Sequence, residues 1–298
     1  MDNSLKKFTL RVEKDCTLLE LLELKLKDYT KSRLKTMLQH RQFWLNGQTA
    51  LQRFDDLLEA GSFVDVHSVK QLRKKEKLQH PYIQVVFEDE FLMVVYKREG
   101  YLTVGTDKDK INTVYHVLNQ YMKSQKRDQR IYVVHRLDRE TSGLLIFAKS
   151  EEVQQALQKN WTECVQKRCY TAVVKGKMPE AKGLIKSYLW EDKQLRVHSS
   201  KEDKGGQLAE TYYEVEKEGP TFSVVQLQLK TGRKNQIRVH LQSMGCPIVG
   251  DKKYGGPVSP IKRLCLHAGY LKFKHPITHS LMTFEWPVPS SFYTLLRK

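Results

Sequence analysis

The sequence predicts an α+β fold: a mixed, largely antiparallel sheet with flanking helices, preceded by a small α/β unit. Three observations predict it. From Pro81 onward, short strand-like runs follow one another through short connections, the pattern of a sheet whose sequence neighbours are also neighbours in space. Before about Ser68, two short helical stretches and a small hairpin form a unit of their own. Between the two, residues 69–80 (VKQLRKKEKLQH) are charged and carry almost no core-forming side chains. They read as a basic linker. The expected division is therefore 1–68, 69–80 and 81–298, and 298 residues suffice for a sizeable core.

In the first unit, Leu18 to Leu26 is a leucine-rich helix behind Thr17, a residue type that caps helices. A second helix begins near Thr30 with Leu34, Met37 and Leu38 on one face and Lys31, Arg33 and Lys35 on the other. Phe43-Trp44-Leu45 then runs as a strand into an Asn46-Gly47 turn, and Phe63 to Val66 is a further short strand. In the second unit IQVVFED (83–89) and FLMVVYK (91–97) are paired strands joined by a tight acidic turn. Residues 112–125 form a helix. YVVHRLD leads through a polar turn into the strand GLLIFAK, and Ser150 caps a helix with Glu151 and Glu152 in its first turn. Strands follow at 169–175, 207–216 and 222–230, then a short helix after Thr231-Gly232.

The charge narrows the function. The formal net charge is +17, of which +5 lies before residue 81 and +12 after it, so it belongs to the folded body rather than to a tail. Such a balance favours a phosphate polymer as partner. The longest apolar runs, Phe91–Tyr96 and Leu144–Ala148, fall far short of a membrane span, so no membrane partner is expected. Five cysteines without a Cys-x-x-Cys pair, and no apolar leader near Met1, indicate reduced thiols and a cytoplasmic protein. Cys265 and His267 lack partners at zinc spacing, so no metal site is expected.

Two segments carry chemistry. His135-Arg136-Leu137-Asp138-Arg139-Glu140-Thr141-Ser142-Gly143 is a charged loop between two apolar strands. Asp138 stands there either as a catalytic carboxylate on a rigidly held loop or as a turn former. Thr231-Gly232-Arg233-Lys234-Asn235-Gln236-Ile237-Arg238 gathers three cations around a glycine turn. They would hold phosphate, or supply a counter-charge for Asp138. No Gly-x-x-x-x-Gly-Lys-Ser/Thr loop accompanies them, which argues against nucleotide hydrolysis.

Taken with three further segments, these motifs resemble the RluA-type pseudouridine synthases over about residues 85–290. HRLDRETSGLLIFAK (135–149) is similar to the family signature, LKTGRKNQIRVHL (229–241) to its basic motif, and KRCYTAVVKG (167–176) to the strand with the active-site tyrosine. GCPIVGDKKYGG (245–256) and RLCLHAGYLKFKHP (263–276) match two more family segments in order. Residues 8–68 resemble the small RNA-binding domain named after ribosomal protein S4, with Ser62 where that domain usually has Asp. Two other departures are Arg98, where the synthases usually have Pro, and Asn235, where they usually have His.

The resemblance implies isomerisation of uridine in RNA: the glycosidic bond to nitrogen breaks, the base turns and a carbon–carbon bond forms. It assigns Asp138 as the carboxylate at the sugar, as nucleophile or base, and Arg238 as the cation that keeps it ionised through its planar fork. It gives Tyr170 the stacking place on uracil, Ile237 apolar packing to the base, and Arg136 the gap left by the flipped base. Arg233, Lys31, Arg33 and Lys35 are expected on RNA. No cofactor or metal is required. The expected protein is a monomer acting on ribosomal large-subunit RNA or, alternatively, tRNA. Two readings compete: an inactive RNA-binding protein of the same fold, and a glycosidase with paired carboxylates.

Overall fold

The structure, a computed structural model, describes residues 8–67, 78–107, 109–125 and 129–297. The chain splits into two compact units, residues 1–76 and 77–298. Most of the sequence-predicted linker, residues 69–77, lies outside the described residues. Its last residues already belong to the second unit, since Leu78 packs against the core and His80 bridges to Ile83.

In the first unit, helix Leu18–Lys25 starts at a capping box: the Thr17 side chain faces the Glu20 N–H, and Glu20 accepts from the Thr17 N–H at 2.7 Å. Helix Lys31–Gln39 is capped by Thr30 and buries Leu34, Met37 and Leu38. These residues close a core with Leu18, Leu21, Leu22, Phe43, Val64 and Val66. At the Asn46-Gly47 turn both φ angles are positive, +49° and +69°, and the Gln48 N–H donates to Leu45 O at 3.0 Å. That geometry closes the hairpin between Phe43–Leu45 and Thr49–Ala50. Three short strands escaped the sequence reading: Cys16–Thr17 pairs with Leu57–Leu58, and Phe8–Arg11 pairs antiparallel with Phe63–Val66. In Phe8–Arg11, four residues with a single buried side chain, Leu10, give too short an alternation to recognise.

The second unit is built on a large mixed sheet with few helices. From one edge its strands run Val197–Ser200, Lys182–Glu191, Gln207–Glu218, Phe222–Leu229, Val165–Lys175, Leu266–Lys274, Ser142–Ala148, Leu92–Lys97 and Ile83–Glu88. Leu281–Glu285 pairs with Leu266–Lys274, and Tyr132–Val133 with Ser142–Ala148. Neighbours are antiparallel except at the centre, where Ser142–Ala148 runs parallel to Leu266–Lys274 through Ser142↔His267 and Gly143↔Ala268. Gly143 permits this junction. Its φ is +135°, and a Cβ there would lie 2.3 Å from Ala268 O. Ser142–Ala148 is buried along its whole length, so it reads as a continuous apolar run and not as an alternation.

The chemistry-bearing loops emerge at this centre. The 134–141 loop enters Ser142–Ala148, and the 230–235 loop links Phe222–Leu229 to helix Gln236–Ser243. That helix is buried from Gln236 through Leu241 on every side, which explains its weak polar–apolar stripe.

Candidate active site

Local hydrogen bonds fix the loop that carries Asp138. The Thr103 hydroxyl donates to Leu137 O at 2.8 Å and accepts from the Leu137 N–H at 3.2 Å, clamping the residue before Asp138 on both sides. Arg139 O accepts from the Gly100 N–H at 2.9 Å and from the Lys97 ammonium at 3.0 Å. Lys97 is fully buried and also donates to Arg98 O and Tyr101 O. Burial pushes its pKa down to about 7, against the pull of Asp138, Glu140 and Glu99. Behind the loop, His135 Nε2 accepts the Ile146 N–H at 3.0 Å, and burial lowers this histidine to about 3. It is neutral at every working pH and serves as a structural acceptor.

The basic segment is held as firmly. Gln236 Oε1 accepts from the Thr231 hydroxyl (2.8 Å) and the Arg233 N–H (2.9 Å), while its Nε2 donates to Glu210 O and Thr211 Oγ1. Asn235 has φ +53°, a left-handed conformation that Asn tolerates better than most residues. It turns the chain so that Arg238, in the first turn of the buried helix, faces Asp138.

Arg238 donates through Nε and Nη2 to the two oxygens of Asp251, both at 2.8 Å, and through Nη1 to Asp138 Oδ2 at 3.3 Å. Here the structure corrects the sequence reading: the fork belongs to Asp251, and Asp138 receives a single nitrogen. The Arg238 side chain is 10% exposed, Asp251 0% and Asp138 23%. Burial works against the charge on Arg238, but Asp251 and then Asp138 outweigh it, so its pKa lies above the ordinary arginine value. Asp138 has a second partner in the Asn235 amide. With its nitrogen toward the carboxylate, the amide lies 2.7 Å from Oδ2 and 3.3 Å from Oδ1, and its oxygen lies 2.9 Å from the Tyr254 hydroxyl. The reverse orientation would set an amide oxygen against a carboxylate oxygen, two acceptors with no hydrogen between them.

These groups open onto a cavity of about 380 Å³, within the range of small-ligand sites. Asp138, Tyr170, Arg238, Arg136, Ile237 and Arg233 all line it, so the six sequence-selected residues of this unit share one cavity. Tyr170 sits on strand Val165–Lys175 and is 7% exposed. Burial raises its pKa, so its phenol is protonated at neutral pH. Arg136 and Arg233 are exposed at the mouth. Arg168 and Trp161 form another wall, the guanidinium 5.2 Å from the ring centre. Lys31, Arg33 and Lys35 are exposed on the first unit; Lys31 pairs with Glu23 at 2.9 Å and Arg33 stacks on Tyr29.

Sequence reasoning missed Asp251, Tyr254, Thr103 and the part played by Lys97, and it noted Asn235 only as a departure. For Asp251 the signal was chemical: a lone acid beside two lysines in GDKKYGG, within a strongly basic chain.

Residues 91–243 match the family described as RNA pseudouridylate synthase. The chain belongs to that family. It is 30% identical over 268 residues to the uncharacterized RNA pseudouridine synthase YhcT of Bacillus subtilis, covering 89% of this chain and 87% of that one. It is 28% identical to the ribosomal large subunit pseudouridine synthase D of Pasteurella multocida, over 90% of this chain and 86% of the relative. Among solved structures it is similar to human RNA pseudouridylate synthase domain containing 4, with a TM-score of 0.57, 23% identity, and coverage of 70% of this chain and 90% of that one. That likeness supports the fold. As a member of the family the chain is an RNA pseudouridine synthase, an isomerase. Among the described residues no helix is long and apolar enough to cross a membrane.

Proposed function

We propose that this synthase isomerises specific uridines in structured RNA, foremost ribosomal large-subunit RNA, with Asp138 as the carboxylate that works at the sugar. One observation carries the reading. Asp138 opens onto the cavity while Arg238 and the Asn235 amide hold its carboxylate from within. A carboxylate so held is aimed without reorganisation during the reaction. The target uridine leaves its stack and enters the cavity, which costs a few kcal/mol. Tyr170 stacks on the uracil with its hydroxyl near the carbon that loses a proton, Ile237 packs the base, and Arg136 fills the vacated place in the helix.

Residues 8–67 act in this reading as an S4-like RNA-binding domain, with Lys31, Arg33 and Lys35 on phosphates. Two helices, the second with a basic, exposed first turn, beside a small sheet support it. The protein works as a cytoplasmic monomer; its five cysteines are all free thiols, in keeping with a reducing compartment. Similarity over most of its length to a ribosomal large subunit synthase favours ribosomal RNA over tRNA. Mapping pseudouridines in total RNA from cells with and without the protein tests the target. Loss of large-subunit sites is expected; loss confined to tRNA sites would move the substrate there.

A further inference from the structure

Asn235 and Tyr254 form a chain of donors that ends on Asp138. Tyr254 is 2% exposed, and its ring is faced by the cations of Arg238 (5.1 Å), Arg196 (5.4 Å) and Lys253 (5.8 Å). Its hydroxyl oxygen accepts the main-chain N–H of Val197 at 3.2 Å. That N–H can only donate, so the hydroxyl proton is left to donate onward. The next polar atom is the Asn235 amide at 2.9 Å, whose oxygen takes that proton and whose nitrogen is thereby turned to Asp138. The direction of each bond is thus set from the Val197–Ser200 strand inward: Val197 N–H to Tyr254 O, Tyr254 O–H to Asn235 O, and Asn235 N–H to Asp138.

We infer that Asn235 and Tyr254 are positioning residues for the reaction, with Asn235 supplying the short hydrogen bond that orients the Asp138 carboxylate and Tyr254 fixing the orientation of the Asn235 amide. The arithmetic of the site favours this. Arg238 spends its fork on Asp251 and meets Asp138 at 3.3 Å, whereas the Asn235 nitrogen meets the same oxygen at 2.7 Å. The arginine supplies charge; the amide supplies direction. An amide carries no ionisable proton, so the bond does not depend on pH in the neutral range. The left-handed backbone at Asn235 is one that Asn and Asp adopt more readily than other side-chain-bearing residues.

The inference rests on Asp138 as the reactive carboxylate, and the test separates the two. Single-turnover pseudouridine formation with the full chain in excess over RNA is measured for wild type, Asn235→Asp, Tyr254→Phe, their double variant and Asp138→Asn. Asn235→Asp keeps shape and backbone preference, replaces the donor by an acceptor and sets a second carboxylate beside Asp138. It should slow the saturated rate about 100-fold while the enzyme concentration for half-saturation stays within about threefold. Tyr254→Phe keeps the ring and removes the hydroxyl, for a loss of about tenfold. Because Tyr254 acts through Asn235, the double variant should be no slower than Asn235→Asp alone, within about twofold. Losses that multiply, or an Asn235→Asp rate within about twofold of wild type, would overturn the inference. If Asp138→Asn also turns over normally, the failure lies with the Asp138 assignment. If Asp138→Asn is inactive while the other variants are normal, only the positioning pair fails.

Discussion

Arg238 grips Asp251 with two nitrogens at 2.8 Å each and reaches Asp138 with a third at 3.3 Å. One guanidinium therefore serves a structural carboxylate and a reactive one together. Asp251 is fully buried and also accepts the main-chain N–H groups of Lys253 and Tyr254, so it is tied to its own turn whether or not Arg238 is present. The pair places a cation behind Asp138 that has little freedom to follow substrate.

Removing Asp251 leaves a buried guanidinium facing Asp138, at 3.3 Å, and the Tyr254 ring. Asp251→Ala should lower stability by about 3–5 kcal/mol, since breaking a buried pair strands its remaining charge. Denaturant unfolding measures it. A loss below about 1 kcal/mol, the scale of an exposed pair, would contradict the arrangement.

Removing Arg238 should act on the chemical step. Arg238→Ala is expected to cut the single-turnover rate about 100-fold at saturating enzyme, the scale of a lost electrostatic contact at a reacting centre. A side chain that merely held phosphate would weaken RNA binding and leave the saturated rate near normal. The saturated rate therefore decides between the two roles.

The first unit should supply affinity and not chemistry. A triple change, Lys31→Ala with Arg33→Ala and Lys35→Ala, should weaken RNA binding and flatten the slope of log affinity against log salt by about two to three. Saturated single-turnover rates should stay as in wild type. An unchanged salt slope would take these three cations off the RNA.

Three histidines strongly lowered by burial, His135, His240 and His267, give a stability profile. Burial lowers His240 and His267 to about 4 and His135 to about 3, below the ordinary value near 6.5. Between those values the unfolded chain binds protons that the folded chain does not, so stability falls as pH drops from about 6.5 to 4 and is fully present above 6.5. Each group contributes about 1.4 kcal/mol per pH unit inside that window. His240 is held by Ser187 and Thr211 at 3.0 and 2.9 Å. His240→Gln should therefore unfold more readily at pH 7, yet lose less between pH 7 and 5 than wild type. An equal loss in both proteins over that range would show that His240 is not a titrating group.

Much of this was legible in the sequence, and the limits have physical causes. Helix caps at Thr17 and Ser150 were readable because capping is local chemistry. The strands Lys182–Glu191 and Leu266–Lys274 went unassigned, because each mixes polar and apolar residues set by partners far away in the chain. Asp138, Tyr170 and Arg238 were named through the resemblance, and they share a cavity because the fold brings together the loop before Ser142–Ala148, the strand Val165–Lys175 and the helix Gln236–Ser243. Asp251 and the orientation of Asn235 depend on a turn 13 residues beyond Arg238 and on a hydroxyl from Tyr254. No spacing rule in the sequence carries such contacts.

The central claim is that Asp138 performs the reaction and does not hold the fold. Its side chain accepts hydrogen bonds from Arg238 and Asn235, and the loop is clamped independently by Thr103, Gly100 and Lys97. Asp138→Asn is nearly isosteric and should stay folded and bind RNA as wild type does. The most direct measurement is single-turnover pseudouridine formation by this variant, with enzyme in large excess over RNA and with RNA affinity measured in parallel. The expected result is wild-type affinity with no detectable product; wild-type-like product formation would contradict the assignment.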